Sequence, residues 1–207
     1  MSINMESYND CGYLEIIKGP MFSGKTTWLV NTYNSLLSQN ENVAVINYAD
    51  DTRYHETLLS THDLIMIPCI QAKTIDEVAN HNSIASATAV LINEGQFFPD
   101  VYDAVIKMVE HENKRVFICG LDGDFKRNKF GGLIDLIPMA NEVCKLAARC
   151  NQCDKPAPFS HRITSETSQI VIGSSNYIPL CRSCYISMNA AAVKSNTFSS
   201  MGISKEA

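Results

Sequence analysis

The sequence predicts an α/β fold, a P-loop-like parallel sheet with helices on both faces, followed by a small zinc-binding appendage. Three observations carry this reading. Four apolar runs of strand length alternate with helix-like segments, a glycine-lysine loop joins the first run to the first helix, and two C-x-x-C pairs stand near the end of the chain.

The four runs are Tyr13–Lys18, Val43–Tyr48, Ala89–Asn93 and Arg115–Gly120, each followed by turn chemistry or a helical pattern. Between Thr26 and Gln39, the residues Leu29, Tyr33, Leu36 and Leu37 recur at helical spacing. A second helix is predicted from Pro99 to Glu112, because Val101, Tyr102, Val105, Met108 and Val109 recur at helical spacing. Pro99 suits the first helical position, and Asp100 and Asp103 lie where the helix dipole favours acids. The sheet domain is assigned to residues 13–145 and the cysteine-bearing unit to 146–190, with the polar segments 1–12 and 191–207 expected to be flexible.

Composition narrows the function classes. With 17 Lys+Arg against 22 Asp+Glu, the net charge of −5 gives no cationic field for nucleic acid, and none is expected as a partner. No apolar run approaches the roughly 20 residues that span a bilayer, and the N-terminus has no signal-peptide core, so a cytoplasmic protein without membrane contact is expected.

The loop Gly19-Pro20-Met21-Phe22-Ser23-Gly24-Lys25-Thr26 satisfies G-x-x-x-x-G-K-[ST] in full, with a strand before it and a helix after it. Its backbone N–H groups are suited to surround the β-phosphate of ATP, Lys25 to face the β- and γ-phosphates, and the Thr26 hydroxyl to hold Mg²⁺. The run Val90-Leu91-Ile92 ends in Asn93-Glu94, where a P-loop sheet usually presents an acid to the metal. Asn93 offers Mg²⁺ or its waters a neutral oxygen only, so Glu94 is the better candidate for accepting the proton of an attacking hydroxyl. Cys150-x-x-Cys153 and Cys181-x-x-Cys184, separated by residues 154–180, have the spacing of two knuckles closing a tetrahedral Zn²⁺ site. Four thiolates leave no open position, so the metal is expected to be structural.

Taken together, the loop at 19–26, Ala49-Asp50-Asp51-Thr52-Arg53-Tyr54, Thr61-His62-Asp63, Glu94-Gly95-Gln96-Phe97-Phe98, Leu121-Asp122-Gly123-Asp124-Phe125, the paired cysteines and Tyr177 resemble the successive motifs of the zinc-containing thymidine kinases, the cellular and poxvirus-type family. The resemblance covers residues 13 to 186 and implies transfer of the γ-phosphate of ATP to the 5′-hydroxyl of thymidine, with Glu94 as general base. It implies that Asp51, Thr52 and Arg53 belong to the phosphate site, where a planar guanidinium suits the transferring group. It also implies that Gly95 and Gln96 close their loop over the nucleotide. The base would be enclosed by a zinc-held lasso comprising Gln169, Ile170, Val171, Ile172, Gly173 and Tyr177, against Phe125, with Met21, Phe97, Leu121 and Ser160 as its wall. A homotetramer and feedback inhibition by dTTP follow from the resemblance as well.

Two departures from the family pattern stand out. Asn93 replaces an acid, and Ile172-Gly173-Ser174-Ser175-Asn176-Tyr177 is one residue shorter than the family stretch and lacks its second glycine. Two other readings use the same residues: a zinc-ribbon P-loop ATPase that touches nucleic acid, for which only Lys126, Arg127 and Lys129 cluster, and a catalytically weakened nucleotide-binding regulator, suggested by Asn93.

Overall fold

The computed structural model describes residues 11–49, 58–60, 65–171 and 173–190. In chain order its elements are β1 (Tyr13–Lys18), α1 (Lys25–Ser38), β2 (Val43–Tyr48), β3 (Leu58–Ser60), β4 (Met66–Pro68), β5 (Ile70–Ala72), the short α2 (Asn82–Ala85), β6 (Ala89–Ile92), α3 (Val101–Ile106), β7 (Arg115–Gly120), β8 (Glu142–Lys145), β9 (Ala148–Arg149), β10 (Pro156–Ala157), β11 (Phe159–Arg162) and β12 (Tyr177–Leu180). Residues 182–190 form a closing helix.

Six strands make one sheet in the order β5-β2-β6-β7-β1-β8, and every neighbouring pair is parallel. Alternating side chains serve the two faces of each strand, as the two-residue repeat requires. Leu14, Ile16, Ile46, Val90, Ile92, Val116 and Ile118 face α3, with Val101, Val105 and Met108, while Tyr13, Ile17, Val45, Leu91, Phe117 and Cys119 face α1, with Leu29, Val30 and Leu36. Helices therefore cover both faces, as the patterning predicted.

Two strands carry no apolar run that sequence reading could find. β8 has exposed Glu142, Val143 and Lys145, and β5 is only Ile70–Ala72, as befits the short polar edges of a sheet. The helix expected over residues 99–112 is α-helical only to Ile106 and continues as a π-turn over Lys107–His111, in which Glu112 N–H bonds to the Lys107 carbonyl at 3.1 Å. That widened turn brings the Val109 carbonyl against Gly12, where a Cβ would sit 1.9 Å from its oxygen, an approach open to glycine alone.

The cysteine-bearing part has its own small core of Ala148, Cys150, Ala157, Leu180, Cys181 and Tyr185. It joins the sheet without a linker, because Leu146 N–H bonds to the Lys18 carbonyl at 2.8 Å directly after β8. Among the described residues no helix is long and apolar enough to cross a membrane.

Candidate active site

Parallel strands deliver their carboxyl ends to one edge, and the candidate residues emerge there from β1, β2, β6 and β7. Gly24 precedes α1 in a left-handed conformation (φ 83°), which turns the loop so that Lys25 opens the helix. The Lys25 side chain is 8% exposed, and its Nζ donates to the Pro20 carbonyl at 2.7 Å. The ammonium is thereby held inside its own loop at the helix N-terminus, where anions are favoured.

Glu94 follows β6 with φ 56° and ψ 42°, a left-handed conformation that non-glycine residues adopt at a cost of about 1–3 kcal/mol. The neighbouring amide holds its carboxylate. Gln96 Nε2 donates to Glu94 Oε2 at 2.7 Å, and Gln96 Oε1 accepts from Leu121 N–H at 2.9 Å. Gln96 is 3% exposed and packs over Gly120, where a Cβ would sit 2.3 Å from its Oε1. Gln96 therefore links the end of β7 to the orientation of Glu94.

Asn93 is buried in a chain of neutral groups across the strand ends. Its Nδ2 donates to Asn47 Oδ1 at 2.8 Å, Asn47 Nδ2 donates to Gln71 Oε1 at 3.1 Å, and the Cys119 thiol lies 3.1 Å from Asn93 Oδ1. Burial, and then the Glu94 carboxylate, push the Cys119 thiol up to about 12 against the pull of Lys25, so it stays protonated and donates. Asn93 thus ties β2, β6 and β7 together, and its oxygen already serves Cys119. Asn93→Ala is expected to leave the buried Asn47 oxygen without a donor and to lower unfolding free energy by about 1–3 kcal/mol. A denaturant midpoint equal to that of the wild type would contradict this.

These groups open on one cavity of about 340 Å³. Of the residues singled out from sequence, Met21, Phe22, Ser23, Gly24, Lys25, Thr26, Asn93, Glu94, Phe125, Gln169, Ile170, Val171, Gly173 and Tyr177 line it, as do Phe97, Leu121 and Ser160. Gly19, Pro20, Gly95 and Gln96 do not. Gly95 and Gln96 sit behind Glu94, because Gly95 packs on Ile118 and Gln96 is turned to Glu94 and Leu121. Asp51, Thr52, Arg53 and Ile172 lie outside the described residues.

Sequence reading missed Asn47, Tyr48 and Phe130, which also line the cavity, as does Asp124 of the 121–125 motif. Tyr48 stacks on Phe97 with ring centroids 5.0 Å apart, and Phe130 meets Phe97 edge-on at 5.4 Å, which builds an aromatic wall. Asn47 and Tyr48 were findable, since they end a parallel strand on the ligand side of the sheet.

The cysteine cluster lies outside the cavity. Sulfurs of Cys150, Cys153, Cys181 and Cys184 all lie within 4.8 Å of one another, with Cys153 at 3.6 Å from both Cys181 and Cys184. Metal–sulfur bonds of about 2.3 Å at tetrahedral angles separate sulfurs by about 3.8 Å, so the arrangement fits a tetrathiolate metal site. Cys181 N–H donates to Cys150 Sγ at 3.2 Å, a backbone contact that stabilises a thiolate. The unit also touches the phosphate loop, where Met21 N–H donates to Ser160 Oγ of β11 at 2.9 Å, and the segment after β7, where Tyr185 Oη donates to the Phe125 carbonyl at 2.6 Å.

Comparison with known proteins agrees with this arrangement. The family model for thymidine kinase matches residues 12–185. The chain belongs to the thymidine kinase family. Thymidine kinase a of Arabidopsis thaliana is 37% identical over 179 residues, covering 84% of this chain and 75% of that protein. The thymidine kinase of Variola virus is 38% identical over 176 residues, covering 84% and 97%, and that of Yaba monkey tumor virus 40% over 179 residues, covering 86% and 97%. The match to the family takes in both the phosphate loop and all four cysteines.

Proposed function

We propose that this chain transfers the γ-phosphoryl group of ATP to the 5′-hydroxyl of thymidine, giving dTMP. The observation that carries the proposal is the single cavity that joins Lys25 of the phosphate loop, the Glu94 carboxylate and an aromatic, loop-enclosed recess. Loop N–H groups and Lys25 bind and orient the phosphates, so that moving Lys25 Nζ from the Pro20 carbonyl to a phosphate oxygen exchanges one partner for a charged one. Glu94, fixed by Gln96, takes the hydroxyl proton as the acceptor oxygen bonds to phosphorus and ADP leaves. Phe125, Phe97 and Tyr177 bound a recess of the size and apolarity that suits a pyrimidine base.

Thr26 lines the same cavity beside Lys25, and its hydroxyl is the group that would hold Mg²⁺. When bound, that ion supplies charge neutralisation on the phosphates. Zinc is the metal that four cysteine ligands at these separations suit best, in a structural role. A homotetramer and feedback inhibition by dTTP are supported by the family resemblance.

The test is product formation from ATP and Mg²⁺ with each of the four natural deoxynucleosides. Thymidine is expected to be the preferred acceptor. Nucleotide binding without turnover of any of the four would instead support the regulator reading.

A further inference from the structure

Arg162 ends β11 at 5% exposure, the only buried arginine among the described residues. A guanidinium that deep is tolerated when its donors and faces are matched. Here they are matched by one loop and two rings. Nη1 donates to the carbonyls of Glu166, at 3.0 Å, and of Ser168, while Nη2 donates to the Gln169 carbonyl at 3.0 Å and to Tyr177 Oη. Tyr177 Oη in turn donates to the Val171 carbonyl at 3.1 Å. The guanidinium carbon lies 3.8 Å from the Phe125 ring centroid and 5.1 Å from that of Tyr177. Only Nε, buried, has no partner.

The residues in this grasp are those that shape the cavity. Phe125, Gln169, Val171 and Tyr177 line it, whereas Arg162 does not. One side chain thus curls three backbone carbonyls around itself, reaches a fourth through Tyr177, and packs against the aromatic face of Phe125. The Gln169 side chain extends the tie across the cavity mouth, donating to Asp124 Oδ2 at 3.0 Å.

We propose that Arg162 is a positioning residue that sets how tightly the nucleoside is held, without touching it. The proposal rests on the reading of this recess as the nucleoside site. Lysine cannot replace it, because one ammonium neither spans these acceptors in a plane nor stacks on Phe125.

The test is steady-state kinetics of Arg162→Lys with thymidine and ATP varied separately, alongside metal content and the thermal midpoint with and without thymidine. The expected result is a thymidine KM raised about tenfold or more, an ATP KM within about twofold, full metal content and a smaller thymidine-induced rise of the midpoint. Tyr177→Phe keeps the ring and removes the hydroxyl that accepts from Arg162 Nη2 and donates to the Val171 carbonyl, so thymidine KM should rise about threefold. That variant keeps the test open if Arg162→Lys does not fold. An unchanged thymidine KM in either variant, or equal rises for thymidine and ATP, overturns the proposal. The wild-type rate tests the functional reading and the variant-to-wild-type ratio tests Arg162, so the two fail separately.

Discussion

Replacing Glu94 by glutamine is expected to reduce turnover by about 10²-fold or more while leaving ATP binding nearly unchanged. The reason is geometric as well as chemical. Gln96 donates to Glu94 Oε2, and a glutamine amide oxygen at position 94 accepts the same bond, so the left-handed turn and the loop behind it survive the substitution. What disappears is the capacity to take a proton. Single-turnover measurements at saturating ATP and thymidine isolate the chemical step, and a rate within a few-fold of the wild type would remove Glu94 from the role of base. Glu94→Asp makes a useful companion. It keeps the charge but shortens the reach, and partial activity is expected because the carboxylate withdraws from both Gln96 and the acceptor hydroxyl.

The second large effect is expected from the cysteine cluster. Cys181→Ser removes one of four sulfurs gathered within 4.8 Å and should lower bound zinc well below one ion per chain. Because β11 and β12 are paired to each other and flank the loop that walls the cavity, thymidine KM is expected to rise by about tenfold or more. ATP affinity is expected to fall less, through Met21 N–H, which loses a well-placed Ser160 Oγ. Zinc analysis and separate titrations of the two substrates check this. Activity at the wild-type level in protein lacking zinc would show that the small core around Tyr185 holds the loop without metal.

How much of this was legible in the sequence depends on how locally each feature is encoded. The phosphate loop is a contiguous stretch whose conformation follows from its own glycines and the helix after it, and four of the six sheet strands are continuous apolar runs because both their faces are buried. The paired cysteines announce themselves by spacing. β5 and β8 escaped because edge strands need no apolar repeat, and the π-turn escaped because one inserted residue shifts the helical period without changing composition. Arg162 was invisible for a different reason. Its partners at Phe125 and residues 166–177 come together only in the folded chain, and an arginine between His161 and Ile163 reads in isolation as a surface cation. Asn93 drew attention as a missing acid. Its explanation lay in Asn47 and Cys119, on two other strands.

The way the cysteine-bearing unit is attached bears on how substrates are exchanged. β8 is a full member of the sheet, Leu146 continues its ladder onto Lys18, and Met21 and Phe125 are clipped to Ser160 and Tyr185. No hinge separates the two parts, so the unit cannot swing away as a rigid lid. The connection that follows β11 is gathered on one guanidinium through the carbonyls of Glu166, Ser168 and Gln169. Admitting a nucleoside past this loop would part its carbonyls from Arg162 and leave the sheet and the cysteine cluster in place.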